Sequence, residues 1–145
     1  MNQNSIIAVL IVVDTNVFIN SIGKISPYRW LLDKIISGEF TLCISNDIFY
    51  EYWEVLEEQT TGEIADNIAN FLVTIPSVKF IQPFISWNLI ATDPDDNKFA
   101  DCAINSGAEC IITHDAHFNV LKKIQFPSVK VFTPEEFSQV YRMNK

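Results

Sequence analysis

At 145 residues the chain is one domain's worth of protein. Its 48% hydrophobic and 19% charged content supplies a core and excludes an intrinsically disordered chain. A net charge of −8, with no basic cluster beyond Lys122-Lys123, excludes nucleic-acid binding carried by a basic surface alone.

The chain opens on a polar stretch, residues 1–5. Ile6–Val13 is then a continuous aliphatic run without polar alternation, which predicts a central strand covered on both faces, as in a parallel sheet. At eight residues it is too short to span a bilayer. The first basic residue is Lys24, so no positive region precedes it as in a signal peptide. Cys43, Cys102 and Cys110 are odd in number, lack C-x-x-C spacing and sit among apolar residues, as buried free thiols in a reducing compartment do. A soluble, cytoplasmic protein with no membrane attachment is expected.

Trp30, Leu31, Leu32, Ile35 and Ile36 give helical spacing over Pro27–Ser37, closed by Gly38. Phe40–Ile44 reads as a strand, and Ser45 or Asn46 caps a helix running to about Gln59. A helix over Gly62–Thr74 ends before Pro76, and Val78–Ile81 is a third strand. Phe84–Ile90, bracketed by Pro83 and Asp93-Pro94, is a connecting segment. Asn97–Ser106 is a helix ended by Gly107, Glu109–Thr113 a strand, Ala116–Lys122 a short helix and Ser128–Phe132 the last strand. Thr133 caps a final helix with Pro134 at its first position. Alternating strands and helices predict a single α/β domain over 1–145, with a mostly parallel sheet and right-handed crossovers. Such sheets bind ligands at the carboxyl ends of their strands.

Asp14 directly follows the first strand, and Thr15 and Asn16 are placed to orient it. Glu51 lies roughly 9 Å of helical rise from the cap of its helix, near the same edge and among Tyr50, Tyr52 and Trp53. Asp93, Asp95 and Asp96 crowd one helix start, with Asp96 nearest to it. Asp101 shares a polar face with Asn97, Lys98 and Asn105, where a Lys98–Asp101 ion pair on a solvated face is an equal alternative to a functional role. Asp115 follows the strand that ends at Thr113, flanked by His114 and His117. Either histidine suits a substrate contact better than a metal bond, because His-x-x-His without a third partner is a weak metal motif. Singly, each aspartate is also explained as a helix cap. Together at one sheet edge, Asp14, Glu51, Asp96 and Asp115 would repel each other unless a divalent cation held them. Two such ions would add about four positive charges, which eases the conflict between an acidic chain and a phosphodiester substrate.

These residues resemble those of the PIN-domain nucleases, in the branch of toxin components of bacterial toxin–antitoxin systems. Val12-Val13-Asp14-Thr15-Asn16-Val17 is similar to the family's first motif, and the stretch from Ile44 to Leu56, with Glu51, to its second. Asp93-Pro94-Asp95-Asp96-Asn97-Lys98-Phe99 resembles the third motif, and Ala108–Asp115 the fourth. The closing Val131–Phe137 is also similar. His114 departs from the branch, which usually has glycine there; a side chain at that point would narrow the approach to the site.

The resemblance implies a three-layer α/β/α sandwich with about five strands and a Mg²⁺- or Mn²⁺-dependent ribonuclease acting on single-stranded RNA. Asp14, Glu51, Asp96 and Asp115 would be the metal ligands. Asp101, often acidic in this branch, would position the attacking water, with Thr15, Asn16 and Thr113 in support. The partners implied are a small antitoxin and a second copy of the chain. Two rivals stand beside this reading. One is a catalytically silent module of the same fold that binds RNA or protein. The other is a phosphoryl-transfer domain, which fits poorly because position 16 is Asn where a phosphatase of the haloacid-dehalogenase kind has its second aspartate.

Overall fold

Five strands form one parallel sheet in the order β3-β2-β1-β4-β5. They are β1 (Val9–Val13), β2 (Phe40–Ile44), β3 (Val78–Phe80), β4 (Cys110–Ile112) and β5 (Lys130–Phe132). The helices are α1 (Thr15–Asn20), α2 (Arg29–Ile36), α3 (Asn46–Gln59), α4 (Gly62–Thr74), α5 (Asn97–Ser106) and α6 (Pro134–Phe137), the last continued by a π-helical turn over Ser138–Arg142. This computed structural model describes residues 8–142. The predicted polar start at 1–5, and Ile6 and Ile7 of the predicted first strand, lie outside the described residues.

Successive residues of a strand face opposite sides of the sheet. Ile11-Val12-Val13, Leu42-Cys43-Ile44 and Cys110-Ile111-Ile112 are nonetheless all 0% exposed. Both faces of the sheet are therefore covered, which is why these strands read as unbroken apolar runs. Each aliphatic side chain so buried contributes about 1.5–3 kcal/mol. The three cysteines are free and buried.

Several boundaries move inward from the expectation. β3 stops at Phe80, β4 covers Cys110–Ile112 only, and β5 begins at Lys130, although the Ile81, Glu109 and Thr113 amides still donate to the Ile44, Leu10 and Phe132 carbonyls of neighbouring strands. Helix α1 has no counterpart in the sequence reading; at six residues it is too short to display an apolar period. The turn at Ala116–Lys123 is 3-10 rather than α-helical. α5 ends as predicted on Gly107, whose φ of 72° lies in the left-handed region.

The connecting segment after β3 has no regular structure, and α5 holds its backbone. Asn97, Asp101 and Asn105 recur every four residues and so line one face of the helix. Asn97 Oδ1 accepts from the Ile90 amide at 2.8 Å while its Nδ2 donates to the Ile90 carbonyl at 3.1 Å. Asp101 Oδ1 accepts from the Trp87 amide at 2.9 Å. Asn105 accepts from the Phe84 amide and donates to the Ile85 carbonyl, both at 3.3 Å. Side chains thus take the place of a neighbouring strand for these backbone groups.

From β1 the chain visits β2 and β3 on one side, then returns to β4 and β5 on the other. The order reverses between β1 and β4, so their carboxyl ends flank a topological switch point.

Candidate metal centre

Asp14 and Thr113 emerge from β1 and β4 at that switch point. The Asp14 amide still pairs with the Ile112 carbonyl at 3.0 Å, which fixes the aspartate against the neighbouring strand. Asp14 Oδ1 accepts from the Thr15 amide at 2.8 Å and so caps α1. Its Oδ2 accepts from the Thr113 hydroxyl at 2.7 Å, and that hydroxyl accepts in turn from the Asp115 amide at 2.9 Å. Burial pushes the Asp14 carboxyl above its ordinary range; the two hydrogen bonds oppose this, and the charges of Asp115 and Glu51 reinforce it.

Tyr52 anchors the same corner from α3. Its ring is fully buried and stacks on Phe18 with centroids 4.2 Å apart. Its hydroxyl donates to the Val13 carbonyl at 2.5 Å, next to Asp14. One residue before Tyr52 on α3, Glu51 accepts from the Thr15 hydroxyl through Oε2. Its Oε1 lies 2.6 Å from Lys98 Nζ. The expected Lys98–Asp101 ion pair does not form: Lys98 turns to Glu51 and to Asp95, at 3.1 Å, and Asp101 is taken by the Trp87 amide.

Asp96 settles whether helix capping accounts for the acids. Asp14 and Asp115 each cap with one oxygen, Asp115 Oδ1 accepting from the His117 amide at 2.9 Å. Asp96 stands at the N-cap of α5 and makes no side-chain cap bond. Its Oδ2 is sealed from water and has no hydrogen-bond partner. Burial, then the charges of Asp93, Asp115 and Asp14, push its carboxyl up from 3.8 to about 7, against the pull of His117. A buried carboxylate oxygen among like charges, with no donor, fits a site for a cation.

One donor atom each from Asp93, Asp96, Asp115 and His117 lies within 4.8 Å of the others. His117 Nδ1 is 3.3 Å from Asp115 Oδ1, 3.6 Å from Asp93 Oδ2 and 3.9 Å from Asp96 Oδ2. These donors converge closely enough that one divalent ion could be shared among them. The three carboxylates are the donors that suit a hard divalent cation.

Asp14, Thr15, Glu51 and Thr113 thus form one hydrogen-bonded network, and Asp96 and Asp115 lie beside it, the charges of Asp115 and Asp14 both raising the Asp96 carboxyl. Asn16 is exposed on the first turn of α1, and Asp101 belongs to the α5 face that holds the connecting segment. Sequence reasoning left Asp93 and Lys98 out of the site and set His117 toward substrate rather than metal, whereas the fold brings His117 among three aspartates. Asp93 had a signal, being the third acid of one crowded turn, but His117 and Lys98 acquire their meaning only from what the fold sets against them. His114 is half-exposed, with Nε2 3.1 Å from Glu135 Oε1, which also accepts through Oε2 from the Tyr28 hydroxyl at 2.7 Å. A groove of about 990 Å³ runs from Glu51 and Lys98 past Tyr50 and Phe80, and it is open to solvent on the α3 side of the acids.

A family model for the PIN domain matches residues 10–117, a span that takes in Asp14, Glu51, Asp96 and Asp115. No curated protein matches the chain. Among solved structures, VapBC2 from Rickettsia felis bound to a DNA fragment from their promoter is similar at a TM-score of 0.60 and 15% identity, over 86% of this chain and 98% of that one. DNA-bound VapBC from Salmonella typhimurium is similar at a TM-score of 0.55 and 15% identity, over 87% of this chain and 98% of that one. At such identity both likenesses bear on the fold.

Proposed function

The chain belongs to the PIN domain family, and from that premise we propose that it is a Mg²⁺- or Mn²⁺-dependent endoribonuclease that hydrolyses single-stranded RNA. The observation that carries this reading is Asp96 Oδ2, buried and unpartnered beside Asp93, Asp115 and His117 at the switch point of the sheet. A divalent ion bound there supplies Lewis-acid charge for the phosphodiester and acidifies water toward neutral pH.

The chain's own residues do the remaining work. Asp96, Asp115, Asp93 and His117 would hold the ion, with Asp14, fixed by Thr15 and Thr113, contributing negative charge beside them. Thr113 restrains Asp14 and the Asp115 backbone with one hydroxyl, as supporting groups orient metal ligands elsewhere. Glu51 and Lys98 form the wall toward the groove, where a strand of RNA can lie along Tyr50 and Phe80. The scarcity of basic side chains leaves phosphate recognition to the ion, Lys98 and backbone amides.

The family match and the similarity to VapBC structures support a toxin role with an antitoxin as partner; a second copy of the chain as dimer mate rests on the sequence resemblance alone. Among the described residues no helix is long and apolar enough to cross a membrane.

Purified protein with Mg²⁺ or Mn²⁺ should cut single-stranded RNA, EDTA should stop it, and Asp14→Asn or Asp96→Asn should abolish cleavage without unfolding the chain. Cleavage that persists in EDTA or in both variants overturns the metal mechanism. Tight Mn²⁺ binding without cleavage of any RNA overturns the nuclease reading in favour of a silent binding module.

A further inference from the structure

Lys98 supplies a fixed positive charge beside the acids of the candidate centre. Its ammonium has three donors, and each faces an acceptor: Glu51 Oε1 at 2.6 Å, the Asp95 carbonyl at 2.8 Å and Asp95 Oδ1 at 3.1 Å. The side chain is only 14% exposed. Lys98 is the one basic side chain among the residues lining the large groove, which otherwise carries Asp47, Glu51, Glu54, Asp95 and Asp101. It is therefore a seated charge and not a freely swinging surface lysine.

Glu51 is fully engaged as a result. One of its oxygens takes Lys98 and the other takes the Thr15 hydroxyl. Asp96 offers the contrast, with a buried oxygen that nothing satisfies. The donors suited to a cation lie on the Asp93–Asp96–Asp115–His117 side, and the Glu51 side already holds a positive charge. An ion added at Glu51 would displace Lys98 or share a carboxylate with it, bringing two cations within a few ångströms.

Resting on the nuclease reading above, we propose that Lys98 occupies the place of a second metal ion. The centre binds one divalent cation, and the Lys98 ammonium supplies the other positive charge, facing the groove where the leaving oxygen or a flanking phosphate would sit. Lys98 is thereby a positioning residue for Glu51 and a fixed counter-charge for the substrate.

The test is Mn²⁺ binding to the full chain, by calorimetric titration and by the paramagnetic resonance of the bound ion. Wild type should bind one Mn²⁺ with the spectrum of an isolated ion. Lys98→Met should bind two, with the broadened spectrum of a coupled pair, and Lys98→Arg should restore a stoichiometry of one. Two ions in wild type, or one in a folded Lys98→Met chain, overturns the proposal. If Lys98→Met does not fold, Glu51→Gln decides. A stoichiometry of one in wild type that persists in Glu51→Gln supports the proposal, and loss of the ion in that variant overturns it. These readouts do not depend on cleavage. No Mn²⁺ bound by any form sinks the nuclease reading as well, whereas two ions in wild type sinks the Lys98 assignment alone.

Discussion

The hydroxyl of Thr113 donates to Asp14 Oδ2 at 2.7 Å across 99 residues of sequence, joining the carboxyl ends of β1 and β4 through a group that is nearly inaccessible to water. Because the Thr113 hydroxyl also accepts from the Asp115 amide at 2.9 Å, one side chain fixes two of the acids of the candidate centre. Thr113→Val keeps the shape and removes both bonds. It should cost about 1–3 kcal/mol in urea unfolding, the penalty for buried polar groups left unpaired. Mn²⁺ affinity should fall about 10–100-fold, as when a supporting partner of a metal ligand is lost. Thr113→Ser should recover most of both.

Tyr52→Phe separates stability from chemistry. The Val13 carbonyl loses its 2.5 Å partner inside the core, while the Phe18 stack and the acids keep their places. Denaturant titration should show a loss of about 1–3 kcal/mol. Mn²⁺ stoichiometry should stay unchanged; its loss would mean that the hydroxyl positions Asp14 and does not merely hold the strand end.

The pH dependence of the metal-free protein follows from Asp96. Its carboxyl is raised in the folded state, from 3.8 to about 7, by burial and by Asp93, Asp115 and Asp14. Between those values the folded chain binds more protons at this site than the unfolded chain does, so stability falls as pH rises through the window and levels off above it. Asp14, also raised, acts in the same direction. In EDTA the melting temperature should therefore drop from pH 5 to pH 8. Saturating Mn²⁺ should reverse that trend, because it binds the deprotonated carboxylates.

Asp96→Asn carries opposite signs in two assays. Removing a charge that its surroundings disfavour should raise the melting temperature of the EDTA-treated protein at pH 8. The same substitution should bring RNA cleavage below detection. A variant that still cuts would move the cation away from Asp96.

Asp101 was expected to position water, yet its Oδ1 holds the Trp87 amide at 2.9 Å. Asparagine can accept the same bond. Asp101→Asn should thus keep the fold and at least about a tenth of the cleavage rate, given that general-base loss typically costs 10²–10⁴-fold. Asp101→Ala should speed amide exchange around Trp87. A folded Asp101→Asn chain without activity would return this residue to the catalytic set.

The parallel sheet was legible because strands buried on both faces must be apolar at every position, and Leu42–Ile44 and Cys110–Ile112 are. Asp14, Asp96 and Asp115 were legible because an acid at a strand end or helix start stands out against such runs. The short helix α1 was not, since six residues display too little of a helical period. Nor could the alternative uses of an acid be separated in sequence: a capping aspartate and a ligand aspartate look alike until the hydrogen bonds are known. In the structure Asp115 caps, Asp96 does not, and Asp101 serves a backbone amide.

Order along the chain, apolar runs and the placement of acids at their ends were thus determined by the sequence alone, because they depend on local periodicity and on residue type. The partners of each charge were decided by tertiary structure. Lys98 meets Glu51 and not Asp101, His117 comes among three aspartates, and Asp96 is left with an unsatisfied oxygen. Electrostatics and hydrogen bonding act over a few ångströms, and which groups come that close depends on how strands far apart in sequence lie side by side.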